Sequence, residues 1–490
     1  MPRTRRMHPA GMLPLLLMLL ALPDLPLAAE VTFVEATVDS VFDGPAGVYV
    51  ADVDGDGKKD ILGAASNQGD IAWWQNDGAH PVTWTKQIVA PSFGGAIFVY
   101  AEDVDGDLDT DILGAAWNRD QIAWWSNGGQ DSIVWTKQII AGGQTQAHEV
   151  FACDLDKDGD IDVLGASAGL GDITWWRNDG GTPIVWTEQV IDSICWGARS
   201  VRAADFDGDG DMDVVGAALV SDEVCWYRND GGTPIAWTEI AISSTFGGSH
   251  MVRVADVDGD DDPDVVGTAY RANQIAWWEN QGGDSVVWVK HVITSELIGA
   301  VTGCPADIDN DGDIDVLGTG QSSDDVIWWE NQGGDPPVWG RHDIDLEFAG
   351  AWPAHADDID GDGCTDVVAG GADADRIKWW HSECLSGVKG DSRGLPECRE
   401  AMLAGSRPNP FGPMTEIRFD LGQTSHVRLA VYDILGRHIL TLLDRPVARG
   451  LHSIEWDGRD SSGNAAPAGV YFVRISAGGT SDSRTVTVLR

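Results

Sequence analysis

Seven copies of the pattern D-x-D-x-D-x-x-x-D stand in this chain at a constant spacing of 51 residues, starting at Asp52, Asp103, Asp154, Asp205, Asp256, Asp307 and Asp358. A strict period of that length marks an array of like supersecondary units, each too small to bury its own apolar faces and completed by its neighbours. Folds without such an array are excluded at once.

One repeat can be read in detail. In the second copy, Ile97 to Asp103 is apolar and β-rich; after the loop come Ile112 to Ala116, Gln121 to Trp125 and Ile133 to Ile140. Four short β-rich runs separated by Gly, Asn and Asp clusters predict a four-stranded antiparallel meander, the size of one propeller blade. The third strand carries an aromatic pair in every copy, Trp73/Trp74, Trp124/Trp125, Trp175/Trp176, Trp226/Tyr227, Trp277/Trp278, Trp328/Trp329 and Trp379/Trp380. Adjacent strand residues point to opposite faces, so two consecutive large aromatics require a strand buried on both sides, as in radially stacked blades. A fourth-strand aromatic recurs at Trp84, Trp135, Trp186, Trp237, Trp288 and Trp339. The seventh copy stops after its third strand, whereas Phe33 precedes Asp52 by 19 residues, as Trp84 precedes Asp103. Residues 31–38 therefore read as a displaced fourth strand that completes the last blade and leaves no open edge. The expected fold is all-β: a seven-bladed β-propeller over residues 30–383, then a small Ig-like sandwich.

The formal charge of -46 is concentrated: 34 of the 78 Asp and Glu lie inside the seven loops. With 43% hydrophobic residues and 23 tryptophans the chain is no disordered polyanion. Its 32 scattered Lys and Arg exclude a nucleic-acid partner, which requires clustered cations. Each loop places carboxylates at positions 1, 3, 5 and 9, with a backbone carbonyl at 7, an all-oxygen set suited to a hard cation and akin to a shortened EF-hand loop. The ligand candidates are Asp52, Asp54, Asp56 and Asp60; Asp103, Asp105, Asp107 and Asp111; Asp154, Asp156, Asp158 and Asp162; Asp205, Asp207, Asp209 and Asp213; Asp256, Asp258, Asp260 and Asp264; Asp307, Asp309, Asp311 and Asp315; and Asp358, Asp360, Asp362 and Asp366. Up to seven structural calcium ions are expected, because clustered carboxylates repel one another unless neutralised. Leu108 and Asp261 stand where other loops have Gly57, Gly159, Gly210, Gly312 and Gly363. Leucine tolerates a left-handed turn poorly, so the second site is expected to be the weakest or most distorted.

These loops, with Phe93-Gly94-Gly95-Ala96 and Phe246-Gly247-Gly248 ahead of first strands, resemble FG-GAP/VCBS repeats, the calcium-loop propeller family that includes the integrin α head. The resemblance covers residues 31 to about 381 and implies a seven-bladed propeller with calcium between strands one and two. The FG-GAP element is degenerate in places, as at Ile194-Cys195-Trp196-Gly197. No integrin function follows from it.

The ends place the chain in a compartment. Arg3, Arg5 and Arg6, an apolar run from Gly11 to Leu22 and small residues at Ala28 and Ala29 read as a signal peptide over residues 1–29. A secreted or cell-surface location is expected. Seven cysteines form no repeating framework; Cys384 and Cys398, flanking the junction, are the preferred disulfide. After a polar linker over residues 384–407, residues 408–490 carry β-rich runs between turn residues. There Val431-Tyr432-Asp433 with Gly436-Arg437, Trp456-Asp457-Gly458 and Gly469-Val470-Tyr471 resemble the Ig-like domain of the flagellar hook-capping family, itself similar to type IX secretion sorting modules. That resemblance implies export and possible surface attachment through the C-terminal domain.

A functional site should break the repeat. His148, Arg199, His250 and Trp352 share one first-strand position, six before the loop, where other blades have Ala46, Ile97 and Val301; Glu149, Arg202, Arg253 and His355 are nearby. First strands line a propeller's channel, so these residues converge near one mouth, either as a receptor for an anionic or sugar ligand or as a solvated lining. Trp117 and Tyr270, in strand 2–3 connections away from the loops, are candidate exposed aromatics for glycan stacking. No GxSxG, HExxH or phosphate loop is present, no catalytic residue is assigned, and a binding or adhesion module for an extracellular protein or glycan is expected ahead of an enzyme. A lectin or a polysaccharide-degrading enzyme working at the channel mouth are the alternatives. A monomer is expected.

Overall fold

The structure, a computed structural model, describes residues 31–129, 133–283 and 286–383, and in the tail 402–407, 414–421, 425–433, 437–447, 450–456, 458–459, 466–467, 469–477 and 480–488. Residues 1–29, read above as a signal peptide, and the expected disulfide partners Cys384 and Cys398 lie outside the described residues. Among these, the regular elements are strands, and no helix is long and apolar enough to cross a membrane.

Residues 32–383 form seven four-stranded antiparallel sheets, each the meander expected of a blade. Blade 1 runs Pro45–Ala51, Asp60–Ala65, Ile71–Asn76 and Trp84–Ala90; the others repeat it, with aspartate loops joining first and second strands. Blade 7 takes Ala351–Asp357, Asp366–Gly371 and Arg376–Glu383 from its own repeat and Thr32–Asp39 as its outer strand, with Glu35 opposite Trp380 and Ala36 opposite Trp379. Each first strand lies against those of the neighbouring blades, and that of blade 7 lies against that of blade 1. Chain strands that are distant in sequence thus share one sheet, and the N-terminal strand completes blade 7.

Burial follows the radial plan. Second strands are buried throughout, as in Asp162–Ser167, and both members of every third-strand aromatic pair are buried, Trp124 completely. Fourth strands are partly exposed. The fourth-strand Trp of one blade packs edge-on against the third-strand Trp of the preceding one: Trp288 lies 6.0 Å from Trp226, and Trp84 lies 5.6 Å from Trp379 across the closure. Each such ring removes roughly 150–250 Å² from water, about 4–6 kcal/mol of transfer free energy at ~25 cal/mol per Å². Glycine in the second strand makes the stacking possible: a Cβ on Gly165 would meet Trp176 at 2.7 Å and Ile122 at 2.5 Å.

The tail forms a three-stranded sheet (Met402–Arg407, Thr415–Leu421, Gly450–Trp456) and a four-stranded sheet (His438–Val447, Ser425–Asp433, Gly469–Ala477, Thr480–Val488). One core joins them, with Ile417, Phe419 and Trp456 from the first and Val427, Leu429, Tyr471 and Ile475 from the second. Here the linker expectation is corrected: Met402–Arg407 is a strand, with Leu403 opposite Phe419. Six residues containing Gly405 carry too little pattern to be read as a strand locally; the partner strand's free edge decides it. Cys364 is disulfide-bonded, which the sequence reading did not anticipate, while Cys153, Cys195, Cys225 and Cys304 are not in disulfides.

Candidate functional site

Two constellations sit at opposite ends of the first strands. At the C-terminal ends are the aspartate loops. In all seven, the ninth aspartate is fully buried and accepts two backbone N–H bonds: Asp60 Oδ1 from Asn76 at 2.8 Å and Oδ2 from Val53 at 3.1 Å, with the same pair of bonds at Asp111, Asp162, Asp213, Asp264, Asp315 and Asp366. The residue expected only as a ligand also ties the start of its loop to the end of strand 3. Sequence spacing could not reveal this, since the donors lie 7 residues before and 16 after it. The first aspartate caps its own loop, Asp52 accepting from the N–H groups of Asp56 and Gly57.

Burial, with neighbouring carboxylates adding to it, raises these acids. Asp60, Asp111, Asp264 and Asp366 are pushed up to about 8, Asp315 to about 9, and Asp162 and Asp213 to about 7. Ligand-capable oxygens converge to within 4.8 Å of one another: Asp52, Asp54 and Asp60; Asp103, Asp105 and Asp111; and positions 1, 3 and 5 in the third, fourth and fifth loops. Asp56 is held by the Lys58 ammonium. Buried Oδ1 atoms of Asp154, Asp205 and Asp258 have no hydrogen-bond partner. Orphaned, mutually repelling, all-oxygen groups fit a hard divalent cation and do not fit a soft metal. The distortion expected at Leu108 is absent: its φ of 76° and that of Asp261, 72°, match Gly57 at 86°, and the Leu108 N–H reaches Asp103 Oδ2 at 2.9 Å as Gly57 reaches Asp52 at 2.8 Å. The surrounding bonds hold leucine in a conformation that costs it about 1–2 kcal/mol.

At the other end of the first strands, His148, Arg199 and His250 from blades 3, 4 and 5 meet. His148 Nδ1–H donates to the Arg199 carbonyl at 2.8 Å, and Arg199 Nη1 donates to His148 Nε2 at 2.9 Å and His250 Nε2 at 3.4 Å. Both imidazoles are held far below their ordinary 6.5, by burial first and the Arg199 charge second. Burial lowers Arg199 only to about 10, so it stays cationic at neutral pH. Trp352 lies 6.2 Å from His250, and its carbonyl accepts from the Thr302 and Thr319 hydroxyls. Trp117 and Tyr270 also join the cluster, but not as exposed platforms. Both are half-buried, Trp117 under the Arg199 guanidinium at 5.4 Å and Tyr270 beside His250 at 6.3 Å. All six sequence candidates therefore fall in one place.

The channel residues Glu149, Arg202 and Arg253 serve one another. Glu149 Oε1 accepts from Arg202 at 2.8 Å and Arg253 at 3.1 Å, and its Oε2 from the Val201 N–H. A narrow pocket open to solvent lies over the cluster, with His148, Arg199, His250, Met251, Thr302 and Trp352 among its walls.

FG-GAP-like repeats match residues 52–114, 103–165, 154–216, 256–318 and 307–369, more than half of the chain. The chain belongs to the FG-GAP-like repeat family. The tail of this FG-GAP-like repeat protein matches the FlgD Ig-like domain over residues 412–481. No curated protein sequence matches it. Among solved structures it is similar to PorZ of Porphyromonas gingivalis, a bacterial surface component of the type-IX secretion system, with a TM-score of 0.43 and 14% identity over 88% of this chain; the chain spans 58% of that protein. It is also similar to an Agrocybe aegerita lectin that recognises non-reducing terminal N-acetylglucosamine (TM-score 0.43, 16% identity, 87% of this chain and 97% of the lectin). A third similarity is to BBS1N, solved in complex with ARL6DN (TM-score 0.49, 10% identity, 74% of this chain and all of the other, 100%). Similarities at this level carry nothing about the ligand or partner of the FG-GAP-like repeat protein.

Proposed function

We infer that this FG-GAP-like repeat protein is a secreted or cell-surface binding module, held together by calcium in its loops, that engages an extracellular protein or glycan at the channel mouth opposite those loops. The observation that carries this reading is the asymmetry of the ring. At the first-strand position where three blades have Ala46, Ile97 and Val301, three adjacent blades supply His148, Arg199 and His250 over an open pocket. Calcium, when bound, would neutralise the carboxylates and lock the strand 1–2 connections; the mouth residues would do the recognising. The FlgD Ig-like tail would serve as the attachment or sorting module.

The test is to screen the calcium-saturated mature protein against glycan arrays and extracellular protein libraries, beside its Trp352→Ala variant. Binding lost in the variant at unchanged melting temperature supports a mouth site. A ligand retained in the variant, or none found, counts against it.

A further inference from the structure

Among the described residues, Arg199 is the one channel arginine without a carboxylate. Arg202 and Arg253 both bind Glu149, whereas no described carboxylate bonds Arg199. Its hydrogen bonds are made by Nη1 alone, whose two protons are spent on His148 and His250. Nε is buried without a partner, and Nη2 donates to no described group. The Nε–Nη2 edge of a guanidinium is the fork that grips a carboxylate with two parallel bonds. Here the two neutral imidazoles hold that fork in place.

We propose that the mouth pocket is a receptor for a single carboxylate carried on a compact apolar or ring-shaped body, received by the Nε–Nη2 edge of Arg199. This rests on the reading of the mouth as the binding site and names its ligand class. Three observations narrow that class. Most of the other pocket walls are apolar, with Ile97, Phe98, Met251 and Trp352, so the body behind the carboxylate packs rather than hydrogen-bonds. Locally, three arginines face one glutamate, so the mouth is positive although the chain carries -46 overall. That wider field repels polyanions, which selects an isolated acid group over a polyacidic chain. Glu149 also faces the pocket but does not repel the ligand effectively, since two arginines and the Val201 N–H occupy its oxygens. An acidic sugar and the C-terminal carboxylate of an apolar peptide both present this chemistry.

Calorimetry on the full, calcium-saturated chain tests it with glucuronate against glucose, and N-acetyl-leucine against N-acetyl-leucine amide. At least one acid is expected to bind about tenfold or more tightly than its neutral counterpart, and the preferred acid identifies the source as sugar or peptide. Arg199→Lys, which keeps the charge but loses the fork, should weaken that binding about tenfold or more with the melting temperature unchanged. Acids that bind no better than their neutral partners, affinity unaltered in Arg199→Lys, or no binding of either acid would each overturn the proposal. A neutral ligand captured on the arrays and lost in Trp352→Ala would overturn the carboxylate inference while leaving the mouth site standing.

Discussion

The Nδ2 of Asn76, at the end of blade 1's third strand, donates to the carbonyl of Ile359 in blade 7's loop at 3.0 Å, joining residues 283 apart in sequence. The same side chain also donates to the Lys59 carbonyl. Equivalent staples run from Asn127 to Val53, Asn178 to Val104, Asn280 to Phe206 and Asn331 to Val257. Asn229 bonds only within its own blade, to Met212, and blade 7 has Ser382 at this place.

Asn76→Ala should therefore destabilise the propeller more than Asn229→Ala. Both lose an intrablade bond, but only the first also strands a buried carbonyl across the closure. A difference of about 1 kcal/mol is expected in urea unfolding, and equal losses would show the staple to be idle.

Calcium should raise the melting temperature strongly, and a chelator should lower it. If each site binds about tenfold below the ambient concentration, mass action contributes about 1.4 kcal/mol per site, or about 10 kcal/mol for seven, comparable with a whole domain's stability. Scanning calorimetry with calcium and with chelator decides; an unmoved transition would remove the metal from the account.

Glu149→Gln leaves Arg202, 4% exposed, without its countercharge. Breaking one side of a buried pair costs about 3–5 kcal/mol. The exposed pair Arg341–Asp343 gives the contrast, and Arg341→Ala should change stability by less than about 1 kcal/mol. Chemical denaturation of the two variants measures both.

Below neutral pH, His148 and His250 work against the fold. As pH falls through 6.5 the unfolded chain protonates both imidazoles, while the folded pair, its values lowered by burial and by Arg199, stays neutral. The unfolded state binds more protons, so their contribution is nil above 6.5 and destabilising below it, down to the lowered folded values. Replacing both by Asn should flatten the pH slope of stability between 6.5 and that lower limit, measured at saturating calcium. Without calcium the raised ninth aspartates tilt the other way: Asp60, at about 8 when folded, makes the folded state the greater proton binder, so that stability falls as pH rises from 3.8 through about 8.

Much of this protein was settled by its sequence, because a period of 51 residues makes each local statement seven times over. The four-stranded unit followed from strand period and turn residues, two-sided burial followed from consecutive tryptophans, and the placement of Phe33 followed from simple alignment with Trp84. The break in the repeat at His148, Arg199, His250 and Trp352 was legible for the same reason: a departure is visible only against a period. Tertiary structure alone decided how those residues divide their bonds. Glu149 closes with Arg202 and Arg253 and leaves Arg199 to two imidazoles, Trp117 and Tyr270 sink against the cluster instead of standing exposed, and Leu108 is held at a positive φ by its loop. It also made Met402–Arg407 a strand. These outcomes depend on which groups meet across blades and sheets, where burial and hydrogen-bond satisfaction outweigh local preference, and a residue's own neighbours in sequence do not contain that information.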